Sequence, residues 1–315
     1  MRVRLRLMRL MSGGQCLCVL LCLYAGTWSL QGQVAKDQVA KDVDQQGKPA
    51  DSAMRFEVAS IRLDKGPFRT PSFALSSDDW FRDPNGRFHA DFPLVTYIEF
   101  AYKLWLTGEQ RRVMLAGTPG WVSTDRYAIE ATAPLHATKD QYREMMQTLL
   151  AERFGLKIHF EDKEMPVLEM VLTKPGKTGP KLIAHEQGPP CDAKPTPEIY
   201  PSMCSGFSAM PKDGHTLFGS RGTPMELIGK FLGNTGGSTG EIGRPVVDRT
   251  GLTGRWDFTL EIGAPFGGKA APDAPAPEGP TMLEAMQEQL GIRLKPAKDV
   301  ISVPVVDHIE LPSEN

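Results

Sequence analysis

Apolar residues recur at helical spacing before Gly155 and alternate with polar residues after it. The helix is predicted to begin at Thr138, because Thr138 and Gln141 form a capping box that satisfies the free N–H groups of a first turn. It is predicted to end at Gly155, since glycine readily adopts the left-handed conformation that closes a helix. Its apolar face consists of Tyr142, Met145, Met146 and Leu149. Two short strands, 156–161 and 167–173, are predicted to follow, separated by a Met-Pro turn.

The same pattern recurs near the C-terminus. Thr281 and Glu284 form a second capping box, and Gly291 is predicted to end the helix. The apolar stripe of this helix consists of Leu283, Met286 and Leu290. Two strands are again predicted, at 292–294 and 300–310. Aligning the two glycines superposes both helix-to-strand junctions, and the second helix is shorter by about two turns, which keeps its buried face in phase.

Upstream of each helix the pattern predicts a strand, a helix and another strand. These elements are 87–90, 94–105 and 126–130 in the first part, and 215–218, 224–232 and 255–260 in the second. An opening strand, 56–61, is expected to join the first sheet. We therefore predict an α+β fold with two related halves, 54–173 and 214–315. Each half is expected to be a small, mostly antiparallel sheet with two helices packed on one face.

Three segments lack any periodicity that would bury a face. Residues 27–53 are polar and repeat QVAKD, which indicates a disordered tether. Residues 174–213 are rich in proline and glycine and are predicted to connect the two halves. Residues 263–280 are dominated by glycine, alanine and proline, which is typical of a flexible, semi-extended insertion.

The N-terminus has the pattern of a secretory signal. Residues 1–26 contain four arginines followed by a short apolar run that ends at Ala25, too short for a transmembrane helix of roughly 20 residues. We therefore predict export to the periplasm or the extracellular space. A retained N-terminal anchor and a lipoprotein attached through Cys22 remain alternatives.

Composition excludes some classes of function. With 41% apolar and 23% charged residues, the chain is neither disordered throughout nor membrane-embedded. Its formal charge of −2 would become more negative without the N-terminal arginines. No basic surface is expected, so the sequence gives no reason to predict a nucleic-acid partner.

Two of the five cysteines, Cys191 and Cys204, lie outside the predicted signal. In an oxidising compartment such a pair is expected to form a disulfide, which would add about 3 kcal/mol of stability. A metal or redox site is the alternative, but it favours a tighter spacing or nearby histidines. His185 and His215 flank the pair at no ligand-like interval, so neither a metal nor a cofactor is predicted.

Candidate catalytic residues are few. Asp248 and Asp257 lie in and next to the run 244–256 and could act as a general acid and base. Asp248 also suits a tight turn. His159 and His308 lie on predicted strands beside Glu161 and Asp307, an arrangement typical of surface cross-strand pairs. Residues 236–240 match G-x-S-x-G, but without a preceding strand they indicate a flexible loop.

Several runs together resemble one protein family. They are RPVVDRTGLTGRWDFTLEI, MRFEVASIR, GTPGWVSTDRYAIEATAP, LLAERFGLKIHFEDKEMPVLEMVLTK and VVDHIELPSEN. The chain resembles, over nearly all of 54–315, a large paralogous family of secreted proteins of unknown function that is prominent in soil acidobacteria. The resemblance implies export but no established reaction, catalytic residue or cofactor. Some relatives look fused to membrane metallopeptidase sensors, which would suit a sensing module, and this chain lacks that peptidase region.

These patterns favour a non-enzymatic extracytoplasmic binding, interaction or sensing module. Two halves would present a groove or sheet edge to a peptide, an envelope component or a partner protein. A secreted hydrolase acting on a polysaccharide or peptide through aspartate or histidine groups is the alternative, and a structural envelope protein is a third. The sequence does not indicate the ligand or the oligomeric state.

Overall fold

The computed structural model describes residues 53–194, 196, 198–239, 242–263 and 278–313. The predicted signal peptide, nearly all of the tether and most of the 263–280 insertion lie outside these residues. Within the described part of the chain, no helix combines the length and apolarity needed to cross a membrane.

The described residues form ten strands and six helices. The strands are β1 (Val58–Asp64), β2 (Arg87–Pro93), β3 (Arg126–Thr132), β4 (Lys157–Leu172), β5 (Leu182–Ala184), β6 (Phe207–Lys212), β7 (His215–Pro224), β8 (Val246–Asp248), β9 (Arg255–Ile262) and β10 (Ile292–His308). The helices are α1 (Leu94–Ala101), α2 (Gly108–Met114), α3 (Trp121–Thr124), α4 (Lys139–Phe154), α5 (Met225–Thr239) and α6 (Met282–Ala285). A 3₁₀ turn, His185–Gln187, follows β5, and a π-helical turn, Met286–Leu290, continues α6.

Three sheets organise these strands. Two are antiparallel, with the orders β1-β3-β2 and β5-β9-β7-β6. In the third, of order β10-β4-β8, the long strands β4 and β10 pair antiparallel along their lengths, and β8 adds in parallel to the end of β4. The predicted α+β fold class is confirmed, while the relation between two halves stays a prediction.

The predicted strand pairs around Pro166 and before residue 300 are wrong. Each pair is one continuous strand, and the resulting strands, β4 and β10, pair with each other. Leu168 N–H donates to Pro245 O on the β8 side, so residues of this parity, including Pro166, direct their backbone groups away from β10. At position 166 a backbone N–H would not bond β10, so the N–H that proline lacks leaves the β4-β10 hydrogen bonds intact.

Both predicted capping boxes are present, and Gly155 and Gly291 close their helices with φ of 58° and 70°. The buried face of α4 is also confirmed. The stripe of the second helix is only partly correct, because Leu283 is exposed. The π-helical turn after α6 changes the phase of the helix. Together, α6 and this turn bury the side chains of Met282, Ala285, Met286 and Leu290.

Other boundaries also differ from prediction. Helix α1 ends at Ala101, four residues early, and α2 follows as a separate helix. Helix α5 continues to Thr239, so a flexible loop over 236–240 is wrong for 236–239, whose backbone is helical. The predicted connection, 174–213, contributes strands β5 and β6 to a sheet. Proline-rich composition therefore did not exclude regular pairing.

Two hydrophobic clusters fill the interior. The first lies between the β1-β3-β2 sheet and helices α1 and α4, and the second lies between the β5-β9-β7-β6 sheet, α5 and α6. Strand β4 contacts both, with Ile158 packed on the first and Met170 buried in the second. Strand β10 does the same through Val306 and Ile292. The β4-β10 pair thus joins the two clusters.

Candidate functional site

A bulge in β7 positions a buried carboxylate. The register of β7 against β9 shifts there, so two residues of β7, Arg221 and Gly222, lie opposite Asp257. Gly222 adopts a φ of 62°, and its N–H donates to Asp257 Oδ1 at 2.7 Å. Bulges of this kind redirect local backbone groups and are common beside functional sites. Here the bulge turns a main-chain donor toward the Asp257 side chain.

His185 reaches the same carboxylate from the other side of β9. It follows β5 directly, and β5 pairs with β9 so that Ile183 lies opposite Asp257. His185 Nδ1 donates to Asp257 Oδ1 at 2.6 Å. A carboxylate accepts but does not donate, so the proton belongs on Nδ1. In the neutral ring this leaves Nε2 with a free lone pair.

Arg221 balances the charge of this cluster. Its guanidinium donates to the carbonyl oxygens of Pro189, Pro190 and Pro201, and Nε lies 3.8 Å from Asp257 Oδ2. Both side chains are almost fully buried. In the described part of the chain, neither Arg221 Nε nor Asp257 Oδ2 has a hydrogen-bond partner. Arg221 therefore both offsets a buried negative charge and holds these three prolines of the connection 174–213 against the sheet.

The disulfide lies against the histidine. Cys191 and Cys204 lie at bonding distance, with Sγ–Sγ of 2.15 Å, as the sequence predicted. Cys191 Sγ is also 3.3 Å from His185 Nε2. Sequence spacing had assigned His185 no relation to the cysteines, and the fold corrects this by bringing the three side chains together. His215 instead bonds Glu261, with Nδ1 at 3.1 Å from Oε1.

Asp248 behaves as the turn residue that the sequence favoured. Its Oδ1 accepts from Thr250 N at 2.9 Å and from Thr250 Oγ1 at 2.7 Å, and Gly251 follows with a φ of 73°. Asp248 lines a groove beside β8, whereas Asp257 lines a separate cavity of about 190 Å³ next to Arg221. The two carboxylates therefore do not share a cavity, contrary to what a paired acid and base would need.

The histidine candidates His159 and His308 lie at the surface. His159 Nε2 is 3.0 Å from Glu161 Oε1, and its Nδ1 is 2.8 Å from Asp307 Oδ1 on the paired strand. His308 Nε2 lies 3.7 Å from Glu310 Oε2. The hydrogen bonds to Asp307 and then Glu161 raise the pKa of His159. This agrees with a cross-strand surface pair.

We expect the imidazole of His159 to titrate above its ordinary pKa of 6.5, and Asp307→Asn to lower that pKa. Because the folded-state pKa is raised, the ion pairs stabilise the fold below the unfolded pKa, and this contribution is lost as pH rises through the folded-state value. NMR titration of the histidine ring protons measures both. An unchanged pKa in Asp307→Asn would show that the cross-strand bond does not form in solution.

The groove beside β8 has a volume of about 520 Å³ and is lined by residues of α2, α5, β8 and β10 and of the segments that connect them. Its lining residues include Trp105, Gln110, Lys230, Val246, Arg249 and Ser302. Helix α5 approaches β8 closely, because a Cβ on Gly233 would lie 3.0 Å from a methyl carbon of Val246. Asn234 Nδ2 on the same helix donates to Leu106 O at 2.8 Å, which fixes the loop that carries Trp105.

Within the described part of the chain, no strand pairs with the outer edge of β8, and the residues of β8 line this groove. Strand β8 is the last strand of its sheet, and Arg249 N–H donates to Met170 O of β4. Because backbone groups alternate along a strand, those of Val246 and Asp248 point away from β4. Trp105 packs edge-on against Phe207 and Phe231, and its indole Nε1 is buried without a hydrogen-bond partner among the described residues.

The sequence indicates Asp257 as a candidate but does not indicate its partners, His185 and Arg221. His185 is only six positions from Cys191, and that short interval is the one signal that could have suggested a contact. Arg221 precedes Gly222, the second of two glycines in β7, and a glycine inside a strand is a sign of a bulge. Nothing local in the sequence distinguishes Trp105 from a core aromatic residue.

The fold and these sites define an α+β protein with a groove beside β8 and a disulfide-bonded connection held by a cluster of a half-buried histidine with a buried aspartate and arginine. The chain belongs to the family described as proteins of unknown function, DUF3738, whose profile matches residues 95–309. No curated protein and no solved structure matches the chain significantly.

Proposed function

We propose that the protein is a non-enzymatic extracytoplasmic binding module whose groove takes an extended peptide segment. The observation that carries the proposal is that β8 lines the groove and has no strand paired to its outer edge among the described residues. An extended peptide gains affinity by adding a strand to such an edge, and pockets for alternate side chains supply specificity. The ligand in this proposal is a segment of an envelope or partner protein.

The chemistry of the groove suits such a peptide. Trp105 is half-buried and lines the groove with part of its aromatic ring, while its indole N–H is buried inside the protein. Glu226 and Lys230 on α5, paired at 2.6 Å, add one charge of each sign at the margin. Arg249, next to β8, adds a further positive charge to the lining. Mixed charges around an aromatic anchor are suited to a polypeptide more than to a uniformly charged polymer.

Internal duplication and export belong to the same proposal. The β1-β3-β2 and β5-β9-β7 orders match, and both capping boxes lead through left-handed glycines into β4 and β10. These correspondences support an ancestral unit that was doubled, with the groove beside the strands that join the copies. The disulfide supports an oxidising, extracytoplasmic location.

The test is selection of binding peptides from a random display library, followed by affinity measurement with fluorescence anisotropy. Ser302→Trp fills the groove from an exposed position of β10 and should weaken the selected peptides at least about tenfold, since it competes for the same volume. Trp105→Phe, which replaces the indole by a smaller ring and so reduces the apolar surface lining the groove, should weaken them by a factor of about 3–10.

Thr132→Trp is the matched control, because Thr132 is an exposed strand residue that does not line the groove. Its affinity should equal that of the wild type. The proposal fails if the library yields no binder, or if selected peptides bind Ser302→Trp as tightly as Thr132→Trp.

A further inference from the structure

Three potential metal ligands meet where the connection joins the sheet. His185 Nε2, Cys191 Sγ and Cys204 Sγ all lie within 4.8 Å of one another. His185 and Cys204 are half-buried and Cys191 is exposed, so the cluster is accessible from solvent. Imidazole nitrogen and thiolate sulfur are the ligands that Zn²⁺ prefers. In the oxidised chain the two sulfurs are bonded to each other and are not available as thiolates.

The histidine is already oriented as a metal ligand. Its Nδ1 donates to Asp257 Oδ1, which directs Nε2 toward Cys191 Sγ. A carboxylate behind a ligating histidine fixes the ring and raises the basicity of the other nitrogen. Asp257 is itself held by Gly222 N–H and is almost fully buried, so this orientation does not depend on a mobile surface group.

We propose that reduction of the Cys191–Cys204 disulfide converts this cluster into a Cys₂His site for Zn²⁺. A dithiol reductant supplies two electrons and two protons, its own sulfurs form a disulfide, and the Cys191–Cys204 bond breaks to give two thiols. Zinc binding then releases the two thiol protons to solvent and forms two Zn–S bonds and one Zn–N bond to His185 Nε2. Three protein ligands leave the fourth tetrahedral position for water or another ligand.

The distances suit tetrahedral zinc. With Zn–S near 2.3 Å and Zn–N near 2.0–2.1 Å, a nitrogen and a sulfur ligand lie about 3.5 Å apart. His185 Nε2 and Cys191 Sγ are 3.3 Å apart in the oxidised chain. Two sulfur ligands of one zinc lie about 3.8 Å apart by the same geometry. The Cα atoms of the two cysteines, 5.6 Å apart, allow that separation once the bond between the sulfurs is broken.

Charge favours a divalent ion. Two thiolates and one Zn²⁺ are neutral together, and behind them Asp257 is balanced by Arg221. The site would therefore bury no net charge, which removes the principal cost of placing an ion beside a buried carboxylate. A monovalent soft ion such as Cu⁺ would leave one negative charge in excess.

The experiment compares the full chain in its oxidised and reduced states. After reduction and removal of the reductant, Zn²⁺ is titrated against a chromogenic chelator, and Co²⁺ replaces it for absorption spectroscopy. We expect one Zn²⁺ per reduced chain, thiolate-to-cobalt charge-transfer bands with intense tetrahedral d–d bands, and no binding at this site in the oxidised chain. Circular dichroism reports whether the reduced chain is folded before and after zinc is added.

His185→Ala should weaken zinc binding more than about tenfold and alter the cobalt spectrum, whereas His159→Ala, which removes a surface histidine also paired with an aspartate, should change neither. Equal affinity in His185→Ala would overturn the proposal, because two thiols alone would then account for binding. A reduced chain that neither binds zinc nor refolds when zinc is added would overturn it as well. None of these outcomes depends on peptide binding in the groove.

Discussion

Replacing Lys139 by methionine is expected to lower the free energy of unfolding by about 3–5 kcal/mol. Lys139 is the first residue of α4, yet its side chain is almost fully buried and paired with Asp78 at 3.0 Å. Its ammonium also donates to Ser76 Oγ and to the backbone oxygens of Asp78 and Trp80. Methionine preserves most of the volume but leaves a buried carboxylate without its cation, which is the costly half of a broken ion pair.

Urea unfolding monitored by circular dichroism measures this loss. Lys103→Met is the matched control, because Lys103 pairs with the neighbouring Asp79 at 2.5 Å with both side chains more than two-fifths exposed. Exposed pairs are worth at most about 1 kcal/mol. Adding Asp78→Asn to Lys139→Met should restore part of the stability, since it removes the uncompensated charge. A loss no larger than that of Lys103→Met would contradict the assignment.

The local signals in the sequence predicted the helix ends well. A capping box and a left-handed glycine act within one turn of backbone. The roles of Thr138 and Gly155 at the helix ends can therefore be predicted without knowledge of the rest of the fold. The same reasoning could not show that Lys139 is buried. Its environment is made by residues 76–80, some sixty positions upstream, and burial lowers the pKa of Lys139 while Asp78 opposes that effect.

Strand continuity needed tertiary information. Pro166 predicts a turn when only neighbours are considered, but it is tolerated because its missing N–H would face away from β10. Pro296 and Pro304 on β10 have the parity that faces away from β4, by the same alternation. Prolines on outward positions also discourage further strands from adding to these edges. Which edge a proline faces depends on the partner strand, and one sequence does not reveal the partner.

The candidate site was predicted in part, for a similar reason. The sequence makes Asp257 a candidate because it and Asp248 could act as a general acid and base, but Asp248 forms a local turn. The actual partners, His185 and Gly222, come from β-strand pairing on both sides of β9. Non-local pairing of this kind leaves little trace in the spacing of residues. The disulfide was predictable because the number of remaining cysteines left one intramolecular choice.

Asp257→Ala is expected to lower the free energy of unfolding by about 3 kcal/mol. The substitution leaves the buried Arg221 without its counter-charge and leaves Gly222 N–H and His185 Nδ1 without their acceptor. An unsatisfied buried donor costs about 1–3 kcal/mol, and an uncompensated buried charge costs more. Breaking a buried ion pair costs about 3–5 kcal/mol, and the loss expected here lies at the lower end because Arg221 keeps its three proline carbonyl acceptors.

Asp307→Ala provides the control, since it breaks a histidine–aspartate pair of similar length at the surface and should cost less than about 1 kcal/mol. Asp257→Asn retains an acceptor for Gly222 N–H but removes the charge, so its loss should fall between the two. Denaturant unfolding gives all three free energies. Limited proteolysis should cut the connection faster in Asp257→Ala, because Arg221, which binds the connection, has lost its charged partner. If Asp257→Ala and Asp307→Ala unfold at the same denaturant concentration, the cluster around Asp257 does not stabilise the connection. The argument that Asp257 orients His185 as a ligand then loses its support.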